Sequence, residues 1–145
     1  MPHFRKQLIV FSGFLFPVFL SGCNAKPECD SFETRKAVLQ IVSDDHNNAL
    51  VTYAAKNSSS VEAKSKSAGS EAEKSAILES AKRGALYLLG EKMITTSTSE
   101  DKRTLTCSGA ISATVDDTKA SKEVHFTVQQ SSDGKISVSV APFQF

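Results

Sequence analysis

Apolar positions along this chain follow two periods, one helical and one extended. Between about residues 31 and 55, Leu39, Val42, His46, Ala49 and Tyr53 recur at three- and four-residue steps, with Val38 and Ile41 widening the stripe. That spacing places them on one face of a helix. Asp30 and Glu33 have the separation of a capping box, with Ser31 as a competing cap, so one long N-terminal helix is predicted over 31–55. Asn47-Asn48 is the point of interruption, since both side chains compete for nearby backbone hydrogen bonds. From Leu86 onward the period becomes two. Leu105, Cys107, Gly109, Ile111, Ala113 and Val115 alternate with polar residues, as do Val124, Phe126 and Val128, and then Ile136, Val138 and Val140. These are half-buried strands. A less regular strand covers Met93–Thr98, followed by a turn at Glu100–Lys102.

Parity fixes the last hairpin. A two-residue Asp133-Gly134 loop would set Val128 opposite Ser139 and place the two apolar sets on different faces. Pairing Val128 with Val138 keeps them together and leaves Ser132-Asp133-Gly134 as a three-residue loop, with Gly134 in the left-handed position.

The segment between these regions is different. Residues 56–75 are rich in Ser, Ala, Lys and Glu, with Ser58-Ser59-Ser60 and Ala68-Gly69-Ser70, and hold little to bury, so a solvated loop or frayed helix is expected. Ala72–Arg83 is richer in helix formers; Glu79 stands four residues before Arg83, and Gly84 marks the end. The predicted class is α+β, with one long N-terminal helix on the apolar face of a three- or four-stranded antiparallel meander. The order helix-then-meander is similar to cystatin-like folds, as a topological analogy without a motif.

The first 22 residues have another character. His3, Arg5 and Lys6 precede a 12-residue apolar run, Leu8–Phe19, which is shorter than the roughly 20 residues needed to span a bilayer. Leu20-Ser21-Gly22-Cys23 then resembles the lipobox of bacterial lipoproteins at all four positions. The resemblance implies cleavage before Cys23, diacylation of its thiol, and acylation of the new amino terminus. Two or three acyl chains exceed the marginal anchoring of a single chain. Asn24, where inner-membrane lipoproteins of enteric bacteria typically have Asp, points to the periplasmic leaflet of the outer membrane. The organisation predicted is a signal peptide over 1–22, a lipidated tether over 23–28 and one domain over 29–145.

In that compartment Cys29 and Cys107 form an even pair under oxidising conditions, which favours a disulfide. They lack partners for a zinc site and form no Cys-x-x-Cys redox motif. The chain carries 17 Lys and Arg against 16 Asp and Glu; with Arg5 and Lys6 in the leader, the remainder holds 15 against 16. A nearly neutral domain of this size lacks the clustered positive surface of a nucleic-acid binder.

Little catalytic chemistry is signalled. His46 beside Asp45 has the spacing of a base oriented by a carboxylate, which a small hydrolase would combine with a serine brought near by folding. The same position also suits a partly buried helix residue at the core edge. Asp44-Asp45 and Asp116-Asp117 are adjacent acids that diverge on a helix or are solvated in a loop. No phosphate loop or metal-ligand spacing is present, so no cofactor is expected. Two surfaces remain. The polar strand face of Thr106, Ser108, Ser112, Thr114, His125, Thr127 and Gln129, with Ser137 and Ser139, suits a flat protein or glycan contact. Phe143 and Phe145 either tuck into the core or offer a hook. The expected function is a non-catalytic, lipid-anchored envelope protein that binds, inhibits or assists another envelope protein. The small hydrolase and a purely structural lipoprotein are the alternatives.

Overall fold

A computed structural model describes residues 26–143; the signal segment, Cys23 and the terminal Gln144-Phe145 lie outside them. Four helices precede four strands: α1 Phe32–Asp44, α2 Ala49–Lys56, α3 Ser59–Lys66, α4 Glu71–Arg83, then β1 Leu86–Thr98, β2 Thr104–Val115, β3 Thr118–Gln130 and β4 Ile136–Val140. The strands form one antiparallel sheet in the order β1-β2-β3-β4. α1 and α2 cover one face of it, and α3 and α4 pack on α2. α1 crosses between the two edge strands, β1 and β4, and α2 returns over β2 and β3. Between the layers lie Val38, Val42, Leu50 and Val51 from the helices and Cys107, Ile111, Val124, Phe126 and Val128 from the sheet.

The fold class is α+β, as the two periods imply, but the single long helix is replaced by shorter ones. Asn48 breaks the first. Its side-chain oxygen accepts from the Val51 N–H at 2.9 Å, capping α2, while its amide nitrogen lies 3.1 Å from the Val42 carbonyl and 2.8 Å from that of Asp45. One buried side chain thereby satisfies both a helix end and a helix start. At the start of α1, Ser31 is the cap, accepting from Thr34 N–H at 3.2 Å. Asp30 is released for another task.

The Ser-rich segment is helical, and its serines are the reason. Ser58 caps α3 through the Val61 N–H, and Ser70 caps α4 through that of Glu73, whose carboxylate reaches back to the Gly69 N–H at 2.6 Å. Val61 is buried, and Ile77, Leu78 and Ala81 of α4 add a partly buried apolar face. Glu79 pairs with Lys82 at 2.5 Å rather than with Arg83. The Lys82 amine is buried and also donates to the Asn47 side-chain oxygen at 2.8 Å, fastening α4 to the α1–α2 turn.

The strands follow their parity. Val128 opposes Val138, and Gly134 has φ 85°, the left-handed value that the three-residue loop requires. Residues 86–98 form one continuous strand with an irregularity in the middle. Leu89 pairs with Ile111 and Met93 with Gly109, so β1 has two more residues than β2 across that interval. The carbonyls of Gly90 and Glu91 accept from the Arg35 guanidinium at 2.7 and 3.4 Å, and Asp30 accepts from the Met93 N–H at 3.1 Å while pairing with Arg35 at 2.7 Å. The first turn of α1 therefore clamps the bulge and shields part of an edge that would otherwise invite strand addition. Met93 lies where a side chain on Gly109 would have to go, so the glycine is what lets Met93 reach the core.

Cys29 and Cys107 are bonded, with Cα atoms 5.7 Å apart. The bridge ties the entry of α1 to a central strand. Pro27 is already buried, and the Glu28 carbonyl accepts from the Thr34 hydroxyl at 2.8 Å. Pro27 and Glu28, two of the six residues expected as tether, thus pack on the folded body.

Candidate functional site

The sheet face away from the helices carries most of the residues singled out for binding. Across it run the rows Ile94–Ser108–His125 and Leu88–Ser112–Ser121, and a third in which Thr106, Thr127 and Ser139 are matched. The hydroxyl carpet is only partly accessible. Thr106, His125 and Gln129 are exposed and Thr114 and Thr127 half-buried, but Ser108 and Ser112 are 2% and 7% exposed. Both are short side chains on a central strand, shaded by taller neighbours such as Ile94, His125 and Leu88. They form the floor of the surface and do not present hydroxyls to a partner. Over Ser108 and Ala110 lies an open hollow of about 510 Å³ walled by Lys92, Ile94 and Glu123.

The β1 side of this face is apolar. Leu86, Leu88 and Ile94 all project from it and are exposed. Sequence reasoning missed them, although the signal was there: in Leu86-Tyr87-Leu88-Leu89 apolar residues occupy both parities, which a strand with one solvated face does not need.

His46 is not on a helix stripe. It sits in the exposed α1–α2 turn, and among the described residues its imidazole has no hydrogen-bond or ion-pair partner. Asp45 accepts instead from the Asn47 N–H at 3.0 Å. Among the described residues no serine hydroxyl is hydrogen-bonded to either side chain. His125, on the outer face, has Glu123 at 4.0 Å. The α1–α2 turn and the segment Ala141–Phe143 flank a second hollow of about 260 Å³, into which Asp45, Asn47 and Phe143 face. Phe143 packs against the core, one of the two fates expected for it; Phe145 lies outside the described residues.

The acids of the β2–β3 turn are not simply solvated. Asp117 accepts from the Ser58 hydroxyl at 2.5 Å and from that of Ser59, while Asp116 accepts from Ser60 at 3.1 Å and pairs with Lys64 at 2.6 Å. The Ser58-Ser59-Ser60 run is thus a cradle that docks the start of α3 on the β2–β3 turn. Asp116 holds φ 47°, a left-handed conformation that Asp tolerates better than most residues. The hydroxyls of Ser58 and Ser59 hold the Asp117 carboxyl down from 3.8 to about 2. A carboxylate whose pKa is lowered by folding contributes stability above its unfolded pKa and loses it as pH falls through the folded one. Asp117→Asn is therefore expected to be less stable than the parent at pH 6, with the gap closing between pH 4 and 2. Urea unfolding across that range checks it, and a constant gap refutes it.

Among the described residues no group of His, Cys, Asp or Glu is arranged to hold a metal, and no helix is long and apolar enough to cross a membrane. No protein-family model, curated protein or solved structure matches the chain.

Proposed function

We propose that this chain is a lipid-anchored protein of the bacterial cell envelope, held by acylated Cys23 in the outer membrane facing the periplasm, whose domain binds another envelope protein without catalysing a reaction. The observation that carries this reading is Leu20-Ser21-Gly22-Cys23 at the end of a short apolar leader, four residues before buried Pro27. A tether that short keeps the domain at the bilayer surface, where its partners are other envelope components. The disulfide suits an oxidising compartment. The binding surface is the polar β3–β4 side of the sheet, where Thr106, His125, Thr127 and Gln129 lie beside Ser137 and Ser139. It offers hydroxyls, an amide and an imidazole over a rigid sheet, groups suited to a flat polar contact with an accessory or inhibited protein.

Cys23→Ser is expected to abolish acylation and to leave unprocessed or soluble precursor. Intact-mass measurement and membrane fractionation read this directly. Unchanged mass and full membrane retention in the variant would overturn the anchor. Crosslinking in intact envelopes, comparing the parent with a Thr127→Arg/Gln129→Arg variant, tests the face. The variant should lose its crosslinked species while retaining its melting temperature.

A further inference from the structure

The strands run antiparallel, so the β1–β2 turn and the β3–β4 loop share one end of the sheet, and the β2–β3 turn with Asp116-Asp117 lies at the other. At the first end the two connections touch: the Gln130 N–H donates to the Arg103 carbonyl at 2.8 Å. Here an open hollow of about 380 Å³ is lined by Arg103, by loop residues 131–134 and by Lys26, the first described residue. The chain therefore enters the domain at this hairpin end.

Lys26 and Arg103 are exposed, and among the described residues neither the ammonium nor the guanidinium has a hydrogen bond or an ion pair. The nearby acids are committed to their own turns. Asp133 accepts from the Ser131 hydroxyl and pairs with Lys135 at 3.6 Å. Asp101, within range of the Arg103 charge, accepts from the Ser99 hydroxyl at 2.5 Å and from the Arg103 N–H at 3.0 Å. Glu100 shares that turn but does not line the hollow. Two cations without partners, beside loop hydroxyls, are complementary to a phosphate. Lys26 is three residues from Cys23, a reach of about 10 Å at full extension. Acyl chains on Cys23 would hold phospholipid headgroups beside the hollow at the high effective concentration of a short linker, under which even a weak contact is populated.

We propose that the hairpin end is the membrane-facing end of the domain, with Lys26 and Arg103 on the phosphates of phospholipid headgroups; this rests on the lipoprotein reading of Cys23. β3 has 13 residues, a length of about 40 Å, so the strands rise from the bilayer and carry the Asp116-Asp117 turn away from it. The domain is then oriented as well as tethered. Its outer sheet face looks sideways along the membrane, toward other envelope proteins.

The chain has no tryptophan, so an introduced one reports alone. Full-length lipidated protein carries Thr98→Trp at the hairpin end or Lys119→Trp at the opposite end, both at exposed positions. Each is reconstituted into phosphatidylethanolamine/phosphatidylglycerol vesicles containing a lipid with a nitroxide on its headgroup. Emission from Thr98→Trp is expected to be quenched at least twofold more than that from Lys119→Trp. Adding Lys26→Gln/Arg103→Gln, or raising the salt, should at least halve the Thr98→Trp quenching. Inorganic phosphate at matched ionic strength should leave it unchanged. Intact mass confirms Cys23 acylation in each sample, so its absence condemns the anchor reading itself. In acylated protein, equal quenching at both ends overturns the proposal alone. So does quenching that the double variant leaves unchanged, since the tether by itself then sets the orientation. A loss of quenching specific to added phosphate assigns the hollow to the free anion, and shielding of Thr98→Trp in native envelopes but not in vesicles assigns it to a protein; either result overturns the lipid contact.

Discussion

Cys29→Ser and Cys107→Ser are each expected to lower stability by about 4–5 kcal/mol, and the double variant by no more than either alone. The bridge closes a loop with a sequence separation of 78, and restricting a chain over that length in the unfolded state gives this magnitude in the chain-entropy description. A small domain has a net stability of only about 5–15 kcal/mol, so the loss is a large fraction of the total. Both cysteines are buried, and the bond joins the start of α1 to central strand β2, so it excludes many unfolded conformations. Non-additivity follows because each substitution removes the same constraint. Urea unfolding with and without reductant measures the effect. Two free thiols in oxidised, denatured protein, or a reduced form as stable as the oxidised one, would refute it.

What the sequence made legible, and what it hid, divides along physical lines. The hairpin register was legible because side chains alternate with a period of two: a slip of one residue turns Val138 and Val140 outward, so Val128–Val138 pairing and left-handed Gly134 follow from the pattern. The Cys29–Cys107 pair was legible from the compartment that the leader implies, and Cys107 shares parity with Ile111. The helices were less so. Val38, Val42 and Leu50 have helical spacing whether or not the axis turns between them, and periodicity does not register a cap. The residues 56–75 look featureless as composition, yet Ser58 and Ser70 are caps and Asp117, 59 residues from Ser58, receives its hydroxyl. That long-range contact has no local signature. The exposure of individual residues on the outer face was hidden for a related reason. Parity gives the side of the sheet but not the height of the neighbours, so Ser108 and Ser112 read as surface although Ile94 and Leu88 overshadow them.

Asn48 carries the second large effect. Its side chain faces three groups at once: the carbonyls of Val42 and Asp45, and the Tyr87 hydroxyl at 2.9 Å, while its oxygen caps α2. Burial raises the Tyr87 pKa, so its phenol stays neutral there at physiological pH. Truncation to Ala removes a cap, about 1 kcal/mol, and strands the buried Val42 carbonyl, which costs about 1–3 kcal/mol when unpaired, while the Asp45 carbonyl keeps the Asn48 N–H. A total loss of about 2–4 kcal/mol is expected for Asn48→Ala. Two further variants separate the contributions. Asn48→Ser keeps a cap oxygen and should recover about 1 kcal/mol of that loss. Tyr87→Phe should cost less than about 1 kcal/mol, because the amide has two protons and two carbonyls remain to accept them. Chemical denaturation gives all three values. If Asn48→Ala proves as mild as Tyr87→Phe, the turn tolerates its loss through water, and the division between α1 and α2 is set by the packing of Val42 and Leu50 instead. If the predicted order holds, a single amide decides that the N-terminal stripe folds as two helices. It thereby decides that α1 reaches across to β4 while α2 turns back over β2 and β3 to close the core.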